Sequence, residues 1–158
     1  MSAYGHMTSK ECYGRALQLI QALDAAIHYA TGYYYEPLRK YVRCERDPLT
    51  STVLEACRAH NMQLIACRNT NGIYHGRIPM AFDADIRKYC MKLRARLLED
   101  HPQDHAQVLY DLDLSETKLD QWTREDCSSP RWSELVRLAR RLHYRVWFYD
   151  PHTDYRIH

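Results

Sequence analysis

The sequence lacks the short motifs that most catalytic and metal-binding sites require. It contains no Gly-rich phosphate loop, no Gly-x-Ser-x-Gly nucleophile motif, no His-Glu-x-x-His zinc motif and no Cys-x-x-Cys pair. Nine His and six Cys are present, but the closest pair with ligand spacing, His101 and His105, has Pro102 between them, and Pro interrupts a continuous helical face. We therefore expect a non-enzymatic protein with no catalytic residues, no cofactor and no metal site.

Long apolar runs and low-complexity segments are missing as well. A membrane-spanning helix needs about 20 consecutive apolar residues, and a signal peptide needs a shorter apolar core behind a basic start. Neither pattern occurs in the sequence, so we expect no membrane partner. Six Cys without a disulfide framework fit a reducing compartment, which predicts a cytoplasmic protein.

Neither sign of charge is in excess, since 22 Lys and Arg face 20 Asp and Glu for a formal net charge of +2. Any phosphate-binding surface must therefore be a local patch. Residues 1–80 carry 9 basic against 6 acidic side chains, whereas residues 81–158 carry 13 against 14. The charge distribution favours the first half for contact with phosphate. Tyrosine is abundant, at 13 residues, and suits binding surfaces as well as wet cores.

Residues 104–149 show the pattern of a helix-turn-helix (HTH). The first helix is expected to carry Ala106, Leu109 and Tyr110 on one face, with a tight turn at Asp113. Ser115 is a good N-cap for a second, short helix, which carries Leu119 and Trp122. A third helix begins near Pro130 and runs into a stretch rich in β-formers, residues 145–149.

The same pattern recurs about 81 residues upstream. The matched pairs are Ala25 and Ala106, Ile27 and Val108, Tyr29 and Tyr110, Gly32 and Asp113, Leu38 and Leu119, Tyr41 and Trp122, and Arg43 and Arg124. After one extra residue the pairs continue as Pro48 and Pro130, Ser51 and Ser133, Val53 and Leu135, Cys57 and Ala139, and Leu64 and Val146. Gly32 and Asp113 are the turn residues, and Gly and Asp both tolerate positive φ. The sequence predicts a tandem duplication; chance agreement between two amphipathic helix pairs is the alternative.

The predicted fold is mainly α with short β-hairpins, in two duplicated HTH units, an upstream unit (residues 8–79) and a downstream unit (residues 83–158). The upstream unit is expected to contain helices at 9–21, 23–30, 33–41 and 48–59, followed by a hairpin of strands 63–68 and 73–78. Pro37 must lie in the first turn of its helix. A basic helix at 85–98 opens the downstream unit, and residues 150–154 turn its last strand back. The two hairpins have equivalent places, so they can form one sheet, within the molecule or between two molecules.

The downstream pattern resembles the Cro-like family of phage repressors and antitoxins. The residues that carry the resemblance are Ala106, Leu114, Leu119, Trp122, Pro130, Leu135, Ala139 and Leu142. The resemblance implies sequence-specific binding of double-stranded DNA, with a recognition helix in the major groove. It also implies a transcriptional regulator, a repressor of a phage or other mobile element, with a homodimer as one arrangement.

The candidate DNA contacts are polar residues in and next to the two recognition helices. In the upstream unit they are Tyr34, Tyr35, Arg39, Lys40 and Arg43, and in the downstream unit Ser115, Thr117, Lys118, Gln121, Arg124 and Arg131. Arg and Lys neutralise phosphates or reach guanine, and Ser, Thr and Gln donate to backbone or bases. The alternatives are a Tyr-rich helix that covers a protein surface, and an adaptor or inhibitor of a host protein built on an HTH scaffold.

Overall fold

Two β-hairpins, one from each predicted unit, join into a single antiparallel sheet. The computed structural model describes residues 9–158, which form seven helices and four strands and are 55% helical in all, a mixed α/β fold. The elements are α1 (Ser9–Thr31), α2 (Glu36–Arg43), α3 (Thr50–Ala59), β1 (Gln63–Thr70), β2 (Ile73–Met80), α4 (Asp83–Asp100), α5 (His105–Asp111), α6 (Glu116–Trp122), α7 (Trp132–Arg141), β3 (Tyr144–Asp150) and β4 (Tyr155–Ile157).

The strand order is β2-β1-β3-β4, so the two central strands come from different hairpins. Leu64 pairs with Phe148 and Ala66 pairs with Val146 across the β1–β3 junction. The hairpins therefore join within the molecule, which was one of the two arrangements expected. Residues 9–79 and 83–158 consequently share one sheet, and the main hydrophobic cluster draws side chains from both.

The core lies between one face of the sheet and the helices. Trp132, at the start of α7, is fully buried and stacks on Phe148 of β3 with ring centroids 5.4 Å apart. Its indole N–H donates to the backbone oxygen of Ala16 in α1 at 2.9 Å. Trp132 thus connects α1, α7 and the sheet, and the indole nitrogen finds the partner that a buried Trp needs.

Several expected boundaries differ from the structure, and α3 begins at Thr50 rather than at residue 48. Residues 9–21 and 23–30 form one helix, α1, because its apolar stripe of Ala16, Leu19, Ile20, Leu23 and Ile27 continues without interruption. The helix predicted at 33–41 spans Glu36–Arg43, with Pro37 in its first turn as expected. The upstream strands extend to Thr70 and Met80, which leaves a two-residue turn at Asn71-Gly72. The basic helix α4 runs from Asp83 to Asp100.

Candidate nucleic-acid interface

Both predicted HTH corners contain a residue in the left-handed region. Gly32, between α1 and α2, has φ +78°, and Asp113, between α5 and α6, has φ +58°. The backbone N–H of Gly32 donates to the oxygen of His28 at 2.8 Å, and that of Asp113 donates to the oxygen of Tyr110 at 3.0 Å. The expectation that these two positions need positive φ is confirmed.

Arg39 of α2 binds α1 rather than extending into solvent. Its guanidinium lies 2.7 Å from the carboxylate of Asp24, whose side chain is only 4% exposed. The same guanidinium lies 4.0 Å from the ring centroid of Tyr34, and Tyr34 stacks on His28 with centroids 3.9 Å apart. Arg39 and Tyr34 therefore hold α2 against α1, in addition to the buried contact of Leu38.

Lys40 and Arg43 are the exposed cations of α2. The Lys40 ammonium lies 5.3 Å from the ring of Tyr41, and the guanidinium of Arg46, just beyond the helix, lies 5.9 Å from the same ring. Tyr35 occupies the N-cap position of α2, with its ring edge-on to His60 at 5.4 Å. The solvent side of α2 thus carries cations that do not form ion pairs within residues 9–158.

Ser115 is the N-cap of α6, as the sequence predicted. Its hydroxyl oxygen accepts a hydrogen bond from the backbone N–H of Lys118 at 3.2 Å. The Lys118 ammonium lies 2.8 Å from Glu134 of α7, so this cation holds α6 to α7. Thr117 and Gln121 remain exposed, while Leu119 and Trp122 anchor the helix in the core.

Acidic side chains surround the exposed part of α6. Asp120 lies 3.6 Å from Arg94 of α4 and 3.9 Å from Arg124, and Arg124 also lies 3.6 Å from Asp126. Glu116 lies 2.8 Å from His105. The charge of Arg124 is therefore partly neutralised. A phosphate that approaches α6 meets more carboxylates than one that approaches α2.

An open cleft of about 430 Å³ lies between α6, α7 and the loop that joins them. Its lining brings together three residues that the sequence singled out, Lys118, Gln121 and Arg131. The guanidinium of Arg131 donates to the backbone oxygen of Asp47 at 3.2 Å, so this side chain also touches the upstream unit. Leu49, Trp122 and Glu134 also line the cleft beside these polar side chains.

Tyr110, which was expected on an apolar helical face, lies in solvent instead, and so does its counterpart Tyr29. Tyr29 of α1 is 94% exposed and Tyr110 of α5 is 78% exposed, and Ala106 is exposed as well. The prediction for the face of Tyr110 and Ala106 was wrong because Val108 and Leu109 turn the buried side of this short helix toward the core.

Two of the buried thiols have strongly raised pKa values. Burial raises the pKa of Cys57 and of Cys90 to about 12 in each case, which keeps both protonated at neutral pH. Among residues 9–158 no group of three or more His, Cys, Asp or Glu side chains has a metal-binding arrangement. None of the described helices combines the length and the apolar character needed to cross a membrane.

No family model, curated protein or solved structure matches the chain. The Cro-like resemblance therefore stays a prediction from the sequence.

Proposed function

We propose that the chain is a sequence-specific DNA-binding transcriptional regulator, a repressor of a phage or mobile element, made of two duplicated HTH units around an internal two-fold axis. The observation that carries the proposal is that residues 82 positions apart meet each other at separate contacts between the two units. In the sheet, Leu64 and Val146 are counterparts, as are Ala66 and Phe148, and Leu64 pairs with Phe148 while Ala66 pairs with Val146. Any antiparallel pair of strands allows this exchange, and the same spacing at the loops before α3 and α7 supports a two-fold axis between β1 and β3.

The loops that precede α3 and α7 support the same symmetry. The N–H of Thr50 donates to the oxygen of Pro130, and the N–H of Trp132 donates to the oxygen of Pro48, both at 2.8 Å. Pro48 and Pro130 are again 82 residues apart, and so are Thr50 and Trp132. This reciprocal pair of bonds closes an isolated bridge between Leu49 and Arg131.

Backbone conformation supports the duplication independently of these contacts. Asn61 after α3 has φ +57° and His143 after α7 has φ +67°. At the hairpin turns, Gly72 has φ +79° and Asp154 has φ +58°. Both pairs are 82 residues apart, and positive φ is uncommon enough outside glycine that repeated coincidence is a poor explanation.

Internal two-fold symmetry suits duplex DNA, because symmetric HTH dimers read half-sites roughly one helical turn, about 34 Å, apart. Here one chain supplies both HTH units, so a second copy is not needed to form the symmetric reader. Lys40 and Arg43 provide phosphate contacts from α2, and Thr117 and Gln121 provide base contacts from α6. Arg39 and Lys118 act in this proposal by holding the two recognition helices in place.

The proposal also predicts that the two half-sites differ. The acidic surroundings of α6 disfavour phosphate contact, but carboxylates such as Glu116 and Asp120 accept hydrogen bonds from cytosine N4. The upstream unit is then the main source of electrostatic affinity. The downstream unit contributes sequence discrimination.

Selection of bound sequences from a random duplex pool, followed by titration at several salt concentrations, tests the proposal. We expect an enriched asymmetric site, and we expect Lys40→Ala/Arg43→Ala to lower the salt slope by about 0.9 for each phosphate that the variant no longer neutralises. Thr117→Ala/Gln121→Ala should alter the enriched sequence with little change in slope. Arg87→Ala/Lys92→Ala on α4 is the charge-matched control. Failure to enrich any sequence, or a flat salt response, contradicts the proposal.

A second candidate, an adaptor or inhibitor that binds a host protein, is favoured by the exposed tyrosines. Tyr29 and Tyr110 contribute nothing to the core, and Tyr is enriched at protein interfaces. Under this alternative, Tyr29→Ala/Tyr110→Ala abolishes partner binding, and duplex DNA is bound weakly and without sequence preference.

A further inference from the structure

The sheet has a second face, opposite the helices, with its own small cluster. Ile65, Cys67 and Trp147 are buried there, with Tyr149 packed beside them, and all four are strand residues. We call this side the outer face. Side chains alternate between the faces of a sheet, and the register places Arg77, Arg145 and Arg156 on this side. Every charged side chain at an outer-face strand position is therefore an arginine.

Two of these arginines flank one aromatic ring. The guanidinium carbons of Arg77 in β2 and Arg156 in β4 each lie 5.8 Å from the ring centroid of Tyr149 in β3. Both side chains are exposed, and within residues 9–158 neither forms an ion pair. Arg145 donates to the phenol oxygen of Tyr74 at 3.2 Å, and Tyr74 is 52% exposed.

Several arginines elsewhere on the molecule have acidic partners, whereas Arg43 of α2 and the neighbouring Arg46 have none among the described residues. Arg68 lies 3.0 Å from Asp100, and Arg94 lies 3.6 Å from Asp120. On the outer face the exposed guanidinium groups of Arg77 and Arg156 lie beside Tyr149 without an ion pair among residues 9–158. The Tyr149 phenol itself donates to the carboxylate of Asp154 at 2.9 Å. Such a surface repels a second copy of itself and attracts a polyanion.

We propose that the outer face binds single-stranded RNA. Four-stranded sheets bind single strands by stacking bases on aromatic rings or guanidinium planes while basic side chains neutralise phosphates. The pair of guanidinium groups beside Tyr149 supplies the cations and flat surfaces for this mode. The phenol of Tyr74 accepts from Arg145 and keeps its own proton, which it donates to a ribose 2′-hydroxyl, the group that distinguishes RNA from DNA.

The test measures binding of a labelled oligouridine of about 12 nucleotides, a length within known single-strand site sizes, by fluorescence anisotropy. We expect Arg77→Gln/Arg156→Gln to weaken binding by at least about tenfold, as when the stacking partner of a base is removed, and to flatten the salt slope by about 0.7 for each phosphate released. Arg87→Gln/Lys92→Gln on α4 is the matched control. Thermal unfolding of each variant confirms that the fold is retained.

Oligothymidine and polyglutamate separate RNA from the other polyanions. Wild-type protein should bind oligouridine more tightly than oligothymidine, and Tyr74→Phe should reduce that preference. Unchanged oligouridine binding in Arg77→Gln/Arg156→Gln, equal affinity for oligothymidine, or displacement of RNA by polyglutamate at equal charge each overturns the proposal. Duplex binding depends on Lys40 and Arg43 in the function proposed above, and RNA binding depends on Arg77 and Arg156. The two proposals can therefore fail separately.

Discussion

The carboxylate of Asp47 caps a helix that begins about 85 residues later in the chain. It accepts a hydrogen bond from the backbone N–H of Ser133 at 2.9 Å and another from the Ser133 hydroxyl. In the opposite direction, the hydroxyl of Ser129 accepts from the backbone N–H of Ser51 at 3.1 Å. Each predicted unit thus accepts a hydrogen bond from a backbone N–H in the first turn of the other unit's helix. The N–H groups of a first helical turn have no acceptor within their own helix.

Replacement of Asp47 tests this exchange of caps. Asp47→Ala should lower the free energy of unfolding by about 0.5–2 kcal/mol, the usual range for removal of a cap, whereas Asp47→Asn should retain most of it. Denaturant unfolding provides the measurement. The exposed Glu125→Ala is the control, and an equal effect of the two alanine variants argues against a capping role.

The Arg39–Asp24 pair predicts a loss of stability that is easily mistaken for a loss of DNA binding. Arg39→Ala leaves the buried Asp24 carboxylate without its partner, which should lower the free energy of unfolding by up to about 3 kcal/mol. That figure is at the lower end of the range for breaking a buried ion pair, because the Arg39 side chain is 24% exposed. The double variant Asp24→Ala/Arg39→Ala should recover part of that loss in denaturant unfolding. Arg43→Ala, on the exposed side of α2, should leave stability nearly unchanged. If the double variant recovers none of the lost stability, the pairing of Arg39 with Asp24 is contradicted.

Asp85 predicts a loss of stability in acid. Its carboxylate accepts from the backbone N–H groups of Ala81 and Phe82 at 2.9 and 3.0 Å, and these bonds hold its pKa below the ordinary value. A lowered pKa means that the stabilisation is present above the ordinary Asp pKa of about 3.9 and is lost as pH falls through the lowered pKa.

Melting temperatures of wild type and Asp85→Asn, recorded between neutral pH and pH of about 3, should therefore converge toward the acidic end. Asp83→Asn, in the same helical turn, should show no such convergence. A difference between wild type and Asp85→Asn that stays constant with pH refutes the assignment.

His143 predicts a stabilising substitution. It follows α7 with φ +67°, a conformation that costs a side-chain-bearing residue roughly 1–2 kcal/mol and glycine almost nothing. His143→Gly should raise the free energy of unfolding by about 0.5–1 kcal/mol, after the entropic cost of glycine is subtracted. His152→Gly, at a loop position outside the left-handed region, should be neutral or destabilising. The midpoint of urea unfolding distinguishes the two outcomes.

The sequence was informative wherever the physics is local. Gly32 and Asp113 marked two left-handed corners, and Ser115 marked a helix N-cap. The gap between the strands predicted at 63–68 and 73–78 contained the hairpin turn Asn71-Gly72. Backbone sterics and bonds across three or four residues decide such features, so neighbouring residues contain enough information to predict them.

The tertiary structure decided everything that depends on distant residues. It joined α1 into one helix, paired Arg39 with Asp24 and Lys118 with Glu134, and exposed Tyr29 and Tyr110. It also set the arginines of the outer face beside Tyr149. The sequence alone specified what each segment tends to form, but which side chains meet depends on packing between segments about 80 residues apart. That packing is set by the shape and burial of the whole molecule, and no local pattern encodes it.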